Sequence, residues 1–137
     1  GAALARRQFG ERIAFINGSF PHWFNNNYKS FNNKENQLPV DQHMLISLIA
    51  PRPVYATNAS EDLWADPKGT FLSLKNAEPV FLLYGLRSAL PAAPPAVDSP
   101  VIQSPIGYHN RTGEHNLTLY DWANFLKFAD YHFRIAR

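Results

Sequence analysis

From Asp41 onward the apolar positions fall into periods that predict elements, whereas the stretch before it does not. Asp41 stands where an N-cap belongs, ahead of Met44, Leu45, Leu48 and Ile49, whose spacing lays one apolar face along a short helix. Pro51 and Pro53 stop that helix. Residues 54–57 are β-branched and aromatic, follow prolines and run into Asn58 and Ser60, which predicts a buried strand ending in a loop. Asp66 and Pro67 restart a helix carrying Phe71, Leu72 and Leu74; Pro79 is expected to end it, with residues 80–84 as a second apolar strand closed by Gly85. Residues 88–105 are proline-rich without period and read as a surface loop. Thr118 and Asp121 resemble a capping box, and Leu119, Trp122, Leu126, Ala129 and Phe133 mark the expected buried face of a last helix. Before Asp41, residues 12–16 suit a short strand or a helix end, and residues 20–38 an aromatic, asparagine-rich excursion with some helix. Strands alternating with helices predict an α/β fold of parallel strands joined by crossover helices.

Composition narrows the class. A chain of 137 residues that is 45% hydrophobic supports one core, and residues 1–137 are expected to form a single unit. The net charge of +2 is not gathered into a basic stripe, so nucleic acid is not implied. No apolar run reaches the roughly 20 residues a membrane helix needs. The chain has no cysteine, which removes disulfides and thiolate metal sites from it. No metal or other cofactor is expected.

Chemistry enters through the order of a few polar residues. The acidic pair Glu61 and Asp62 follows the first predicted strand, and His115 follows the later one, just before the last helix. An α/β-hydrolase delivers its acid and histidine in that order, after a nucleophile. No G-x-S-x-G occurs, and no serine lies in a glycine-flanked turn between strand and helix. The expectation is therefore the C-terminal part of an α/β-hydrolase catalytic domain, lacking the nucleophile elbow, with the serine upstream and the chain inactive alone. Imidazole suits the task of taking a serine proton and returning it to a leaving alcohol. His109 competes for that role but sits farther from the last helix, while His22, His43 and His132 read as structural. Asp62 would orient the histidine; Glu61 would do so if the turn is shifted by one residue. The alternative is that both are solvated turn acids capping the helix that starts at Asp66.

Five stretches occur together in a familiar order: residues 19–24 (Ser-Phe-Pro-His-Trp-Phe), 38–44 (Leu-Pro-Val-Asp-Gln-His-Met), 50–55 (Ala-Pro-Arg-Pro-Val-Tyr), 60–67 (Ser-Glu-Asp-Leu-Trp-Ala-Asp-Pro) and 108–115 (Tyr-His-Asn-Arg-Thr-Gly-Glu-His). In these the chain resembles the bacterial glucuronoyl esterases of carbohydrate esterase family 15. The resemblance implies a metal-free serine, acid and histidine mechanism acting on the ester between glucuronate of xylan and an alcohol of lignin, in a secreted or periplasmic protein. It places the family's serine, oxyanion arginine and usual glutamate ahead of residue 1. It also implies that Trp64 lies against the glucuronate and that Glu11 accepts hydrogen bonds from sugar hydroxyls. Arg6 and Arg7 take no catalytic part in it and are expected to pair with acids or cover apolar surface. Where many relatives have a cysteine after the Trp-Phe pair, this chain has Asn25, which puts any shared disulfide in doubt. Two other readings stay open: a hydrolase of simple or acetyl esters, for which Trp64 and Glu11 would have no sugar to meet, and a non-catalytic carbohydrate-binding module with Trp23, Phe24 and Trp64 as its platform. Expected partners are a glucuronoxylan–lignin ester or a small glucuronate ester and the upstream part of the same domain, without nucleic acid or membrane.

Overall fold

The computed structural model describes residues 2–133. Seven elements organise it: α1 (Ile13–Ser19), α2 (Asn26–Lys29), α3 (Gln42–Ser47), β1 (Val54–Ala59), α4 (Pro67–Leu83), β2 (Ile106–Arg111) and α5 (Leu119–Phe133). The two strands pair in parallel, with Val54 opposite Ile106, Thr57 opposite His109 and Ala59 opposite Arg111. Parallel pairing requires a crossover, and α4 with the proline-rich loop supplies it. The outer edge of β2 is covered by that loop, where Val101 exchanges backbone hydrogen bonds with Tyr108 at 2.8 and 3.1 Å.

The sheet has two unlike faces. Ile106 and Tyr108 meet Phe71, Leu74, Ala77 and Phe81 of α4, together with Ile46 and Leu90, in the apolar core. Each such side chain removed from water contributes about 1.5–3 kcal/mol before entropy is counted. On the other face Tyr55, Gly107 and His109 meet α5, where Phe128 packs on the Tyr55 ring at 4.8 Å. A β-carbon at Gly107 would overlap that ring, so the residue opposite Tyr55 must be glycine.

Three sequence expectations are corrected. Residues 80–84 are not a strand, because α4 continues through Pro79 to Leu83. Leu74, Ala77 and Phe81 form one unbroken buried face while Pro79 lies on the exposed side, so packing outweighs the hydrogen bond that proline forfeits. The second strand is instead residues 106–111, buried on both faces, where Gly107, His109 and Arg111 interrupt the apolar pattern that would have revealed it. Finally, α5 buries Asp121, Asn124 and Phe128, not the expected stripe: Leu119, Trp122, Leu126 and Phe133 are exposed, and Ala129 is intermediate.

Other expectations match the elements found. Asp41 caps α3 by accepting from the Gln42 amide at 2.8 Å, and Asp66 caps α4 with Pro67 at its first position. Arg7 donates twice to Asp66, from Nε at 2.6 Å and Nη2 at 3.1 Å. Asp41 also accepts from the amides of Ala5 and Arg6, which ties the first residues to the body of the molecule.

Candidate active site

The loops that leave the carboxyl ends of β1 and β2 are joined by their own backbones. Ser60 N–H donates to Arg111 O at 2.8 Å, Glu61 N–H to Gly113 O at 3.0 Å, and Gly113 N–H to Ser60 Oγ at 3.3 Å. Gly113 has a φ of 107°, a conformation that favours glycine, and it lets the second loop turn back toward the first. The carboxyl end of parallel strands is where open α/β sheets gather their sites.

That arrangement brings Asp62 and His115 together. His115 Nδ1 and Asp62 Oδ2 are 2.6 Å apart. A carboxylate only accepts, so Nδ1–H donates and Nε2 is left free to exchange a proton. The His115 side chain is 88% exposed and that of Asp62 12%, so the acid is embedded and the imidazole reaches out from it. Glu61 is exposed, and its contribution to the junction is its main-chain N–H; among the described residues it is Asp62 that accepts from His115.

Asp62 and His115 line a cavity of about 380 Å³ together with Trp64, Glu11, Phe9 and Trp23. Trp64 is half exposed and meets Phe15 edge-on at 5.1 Å. It is held by its neighbours: the Trp64 carbonyl accepts from Glu11 N–H at 2.9 Å, and Asp66, two residues later, is anchored by Arg7 and by the Gly69 amide. Gly10, at a φ of 65°, allows the close approach, because a β-carbon there would run into the Trp64 carbonyl. Glu11 is thereby fixed beside Trp64 although 53 positions separate them in the chain.

Beneath this surface lies a second histidine–aspartate pair that the sequence reading did not anticipate. His109 is wholly buried, with Nε2 at 2.8 Å from Asp121 Oδ1 and 2.6 Å from Thr57 Oγ1, and Nδ1 at 2.8 Å from the Tyr55 hydroxyl. Nε2 carries the proton in this arrangement and Nδ1 accepts from Tyr55. Burial pushes the His109 pKa below its ordinary value despite the opposing pull of Asp121, and so favours the neutral ring. Burial also acts to raise Asp121, but hydrogen bonds from His109, Thr118 and Arg111 outweigh it and hold the carboxyl well below the usual range. Arg111 Nε donates to Asp121 Oδ2 at 2.9 Å, and the Thr118 N–H and hydroxyl add bonds at 2.7 and 2.8 Å. The one hint in the sequence is the two-residue spacing of His109 and Arg111, opposite a helix whose first turn carries Asp121. The other histidines stand apart: His132 contacts the Ser104 carbonyl at 2.9 Å, His22 lies edge-on to Trp23, and His43 sits on α3.

Comparison with known proteins decides the family. The family described as glucuronyl esterase of fungi matches residues 6–85, more than half of the chain. The chain belongs to the glucuronoyl esterase family. A curated relative, carbohydrate esterase MZ0003 of an unknown prokaryotic organism, is 48% identical over 96% of this chain and 30% of its own length. A 4-O-methyl-glucuronoyl methylesterase of Phanerochaete chrysosporium is 33% identical over 47% of the chain and 14% of its own. Among solved structures, one described as a promiscuous esterase of carbohydrate esterase family 15 from a marine bacterial metagenome superposes with a TM-score of 0.94 at 48% identity, covering 97% of this chain and 33% of that one. The glucuronoyl esterase from Solibacter usitatus gives a TM-score of 0.89 at 45% identity, with 97% and 34% covered. The chain therefore has the fold of part of an α/β-hydrolase, and it spans about a third of the length of these bacterial relatives. Among the described residues no helix is long and apolar enough to cross a membrane, and no cluster of three or more His, Asp or Glu could hold a metal.

Proposed function

We propose that this chain supplies the acid and histidine of a glucuronoyl esterase whose serine lies upstream of residue 1. The observation that carries the reading is the 2.6 Å pair of Asp62 and His115 on the wall of the cavity that also holds Trp64 and Glu11. In this mechanism the serine hydroxyl attacks the uronate carbonyl while His115 Nε2 takes its proton. The imidazolium, stabilised by Asp62, gives that proton to the departing alcohol. Water then attacks the acyl-enzyme with His115 again as base, and the free uronate and the serine hydroxyl are released. Trp64 offers a planar apolar face to sugar C–H groups and an indole N–H to an oxygen, while Glu11 accepts from hydroxyls. The substrate is a glucuronate ester linking xylan to lignin or a small analogue of it, which places the protein outside the cytoplasm, where such polymers are met.

Support for the missing partner comes from surface as well as chemistry. The edge of β1 away from β2 is unpaired among the described residues, and Leu119, Trp122, Leu126 and Phe133 stand exposed on α5. Unpaired edges and contiguous apolar surface call for cover. A second reading, hydrolysis of simple esters, is favoured by one finding: the relative that superposes at a TM-score of 0.94 is itself described as promiscuous. The carbohydrate-binding alternative leaves the acid–histidine pair without a task.

The test is hydrolysis of a benzyl glucuronate ester beside a plain acetyl ester, by the protein expressed with its upstream coding region. Higher kcat/KM on the uronate is the expected result. Turnover of the acetyl ester alone would discard the substrate and keep the fold; turnover of neither would remove the esterase reading.

A further inference from the structure

We infer that Arg111 is the positioning residue of the His115 loop, which rests on the reading of His115 as the proton-transferring group. The guanidinium is almost completely buried and nearly every donor is used. Nη1 donates to Thr112 O at 2.9 Å, and Nη2 donates to Glu114 O at 2.9 Å and Asn116 O at 2.6 Å. Glu114 and Asn116 are the residues on either side of His115 in the chain, so one cation grips the backbone immediately before and after the imidazole. Nε completes the arrangement by donating to Asp121 at 2.9 Å. Asp121 is itself fixed by the Thr118 amide and hydroxyl at the head of α5 and by His109 from within the sheet.

The reason this matters for chemistry is the exposure of the ring. With 88% of its side chain open, His115 has little packing to hold it, so its place depends on the Asp62 hydrogen bond and on where the backbone sets Cα. Residues 112–116 form no helix or strand, and Gly113 adds conformational freedom there. A loop of that kind keeps one shape only if its carbonyls have fixed partners, and Arg111 provides three. Lysine cannot replace it: its ammonium is one compact charge, whereas the guanidinium fork directs separate N–H groups to separate oxygens. Misplacing a reacting group by about 1 Å costs on the order of 100-fold in rate.

The experiment uses R111K and R111M in the protein with its upstream region, measuring kcat and KM on benzyl glucuronate and binding of free D-glucuronate by calorimetry. Expected are a fall in kcat of about tenfold for R111K and on the order of 100-fold for R111M, with KM and the stoichiometry of glucuronate binding preserved. Kinetics per binding site equal to wild type in R111M would overturn the inference, as would a rise in KM with kcat unchanged. If neither variant accumulates as a folded, glucuronate-binding protein, Arg111 is a residue of core stability and the positioning role is likewise overturned. Failure of the wild type itself to hydrolyse the uronate would instead strike the functional reading beneath it.

Discussion

Two histidine–aspartate pairs, one between β2 and α5 and one between the loops that follow β1 and β2, have opposite surroundings. His109 and Asp121 are 2.8 Å apart with both side chains at 2% exposure or less. His115 and Asp62 are 2.6 Å apart with the imidazole open to solvent. In the first pair both nitrogens of the ring have partners, Nδ1 with Tyr55 and Nε2 with Thr57 and Asp121, so no lone pair is left to meet a substrate. In the second the carboxylate occupies Nδ1 and leaves Nε2 facing outward. The same two residue types thus make a fastening when every atom is satisfied and leave a nitrogen available for proton exchange when one is withheld, as the proposed role of His115 requires. A contact distance alone does not distinguish them; the count of free lone pairs does.

The largest separation between the pairs should appear in turnover. H115A is expected to lower kcat on a uronate ester by roughly 10⁴- to 10⁶-fold with little change in thermal stability, measured by steady-state kinetics and a melting curve. D62N should cost about 10²- to 10⁴-fold and more than E61Q does; a D62N protein that keeps most of its activity would return the acid's role to an upstream glutamate. The buried pair should respond the other way. Removing its imidazole with H109A leaves a buried carboxylate short of a partner and a cavity behind it, a loss of about 3–5 kcal/mol in chemical denaturation, while the Arg111–Asp121 bond remains.

Acid should also act on the buried pair. The folded pKa of His109 is depressed below its ordinary value of 6.5, so the unfolded chain binds more protons in that window. Its contribution to stability is complete above about pH 6.5 and is lost as the pH falls through the depressed value. Asp121, also depressed, has its contribution complete above the ordinary carboxylate range, and it is lost only in strong acid. Denaturation curves between pH 7 and pH 5 should lose stability in the wild type, with a smaller slope in H109Q. The smallest effect is expected at Trp64, the proposed sugar contact: W64A should raise KM for the uronate by about three- to tenfold, the equivalent of an aromatic contact, and leave an acetyl ester nearly unaffected.

How far the sequence disclosed these regions follows from the same contrast. Asp62 and His115 stand out in the sequence because both sit in polar stretches, where an acid and a histidine have no packing reason to be; their 2.6 Å approach is what the structure adds. Trp64 and Glu11 were named through the family resemblance, and the backbone bond that joins them depends on Gly10, which no pattern marks. The buried pair was hidden because β2 carries polar residues on a face that ordinarily would be apolar, so periodicity passed over the strand and with it Arg111. The same fact misled the reading of α5. Its polar side, Asp121 and Asn124, is buried, Asp121 meeting His109 and Arg111, and its apolar stripe is left outside. An amphipathic helix tells which residues share a face, not which face the protein chooses to bury when the sheet beneath is itself polar.

The most direct measurement sets H115A beside H109A in the protein with its upstream region, comparing kcat on benzyl glucuronate per folded molecule with the free energy of unfolding. Expected are a stable, inactive H115A and a destabilised H109A that keeps most of its turnover. An active H115A, or an H109A that is stable and inactive, would contradict this division of roles.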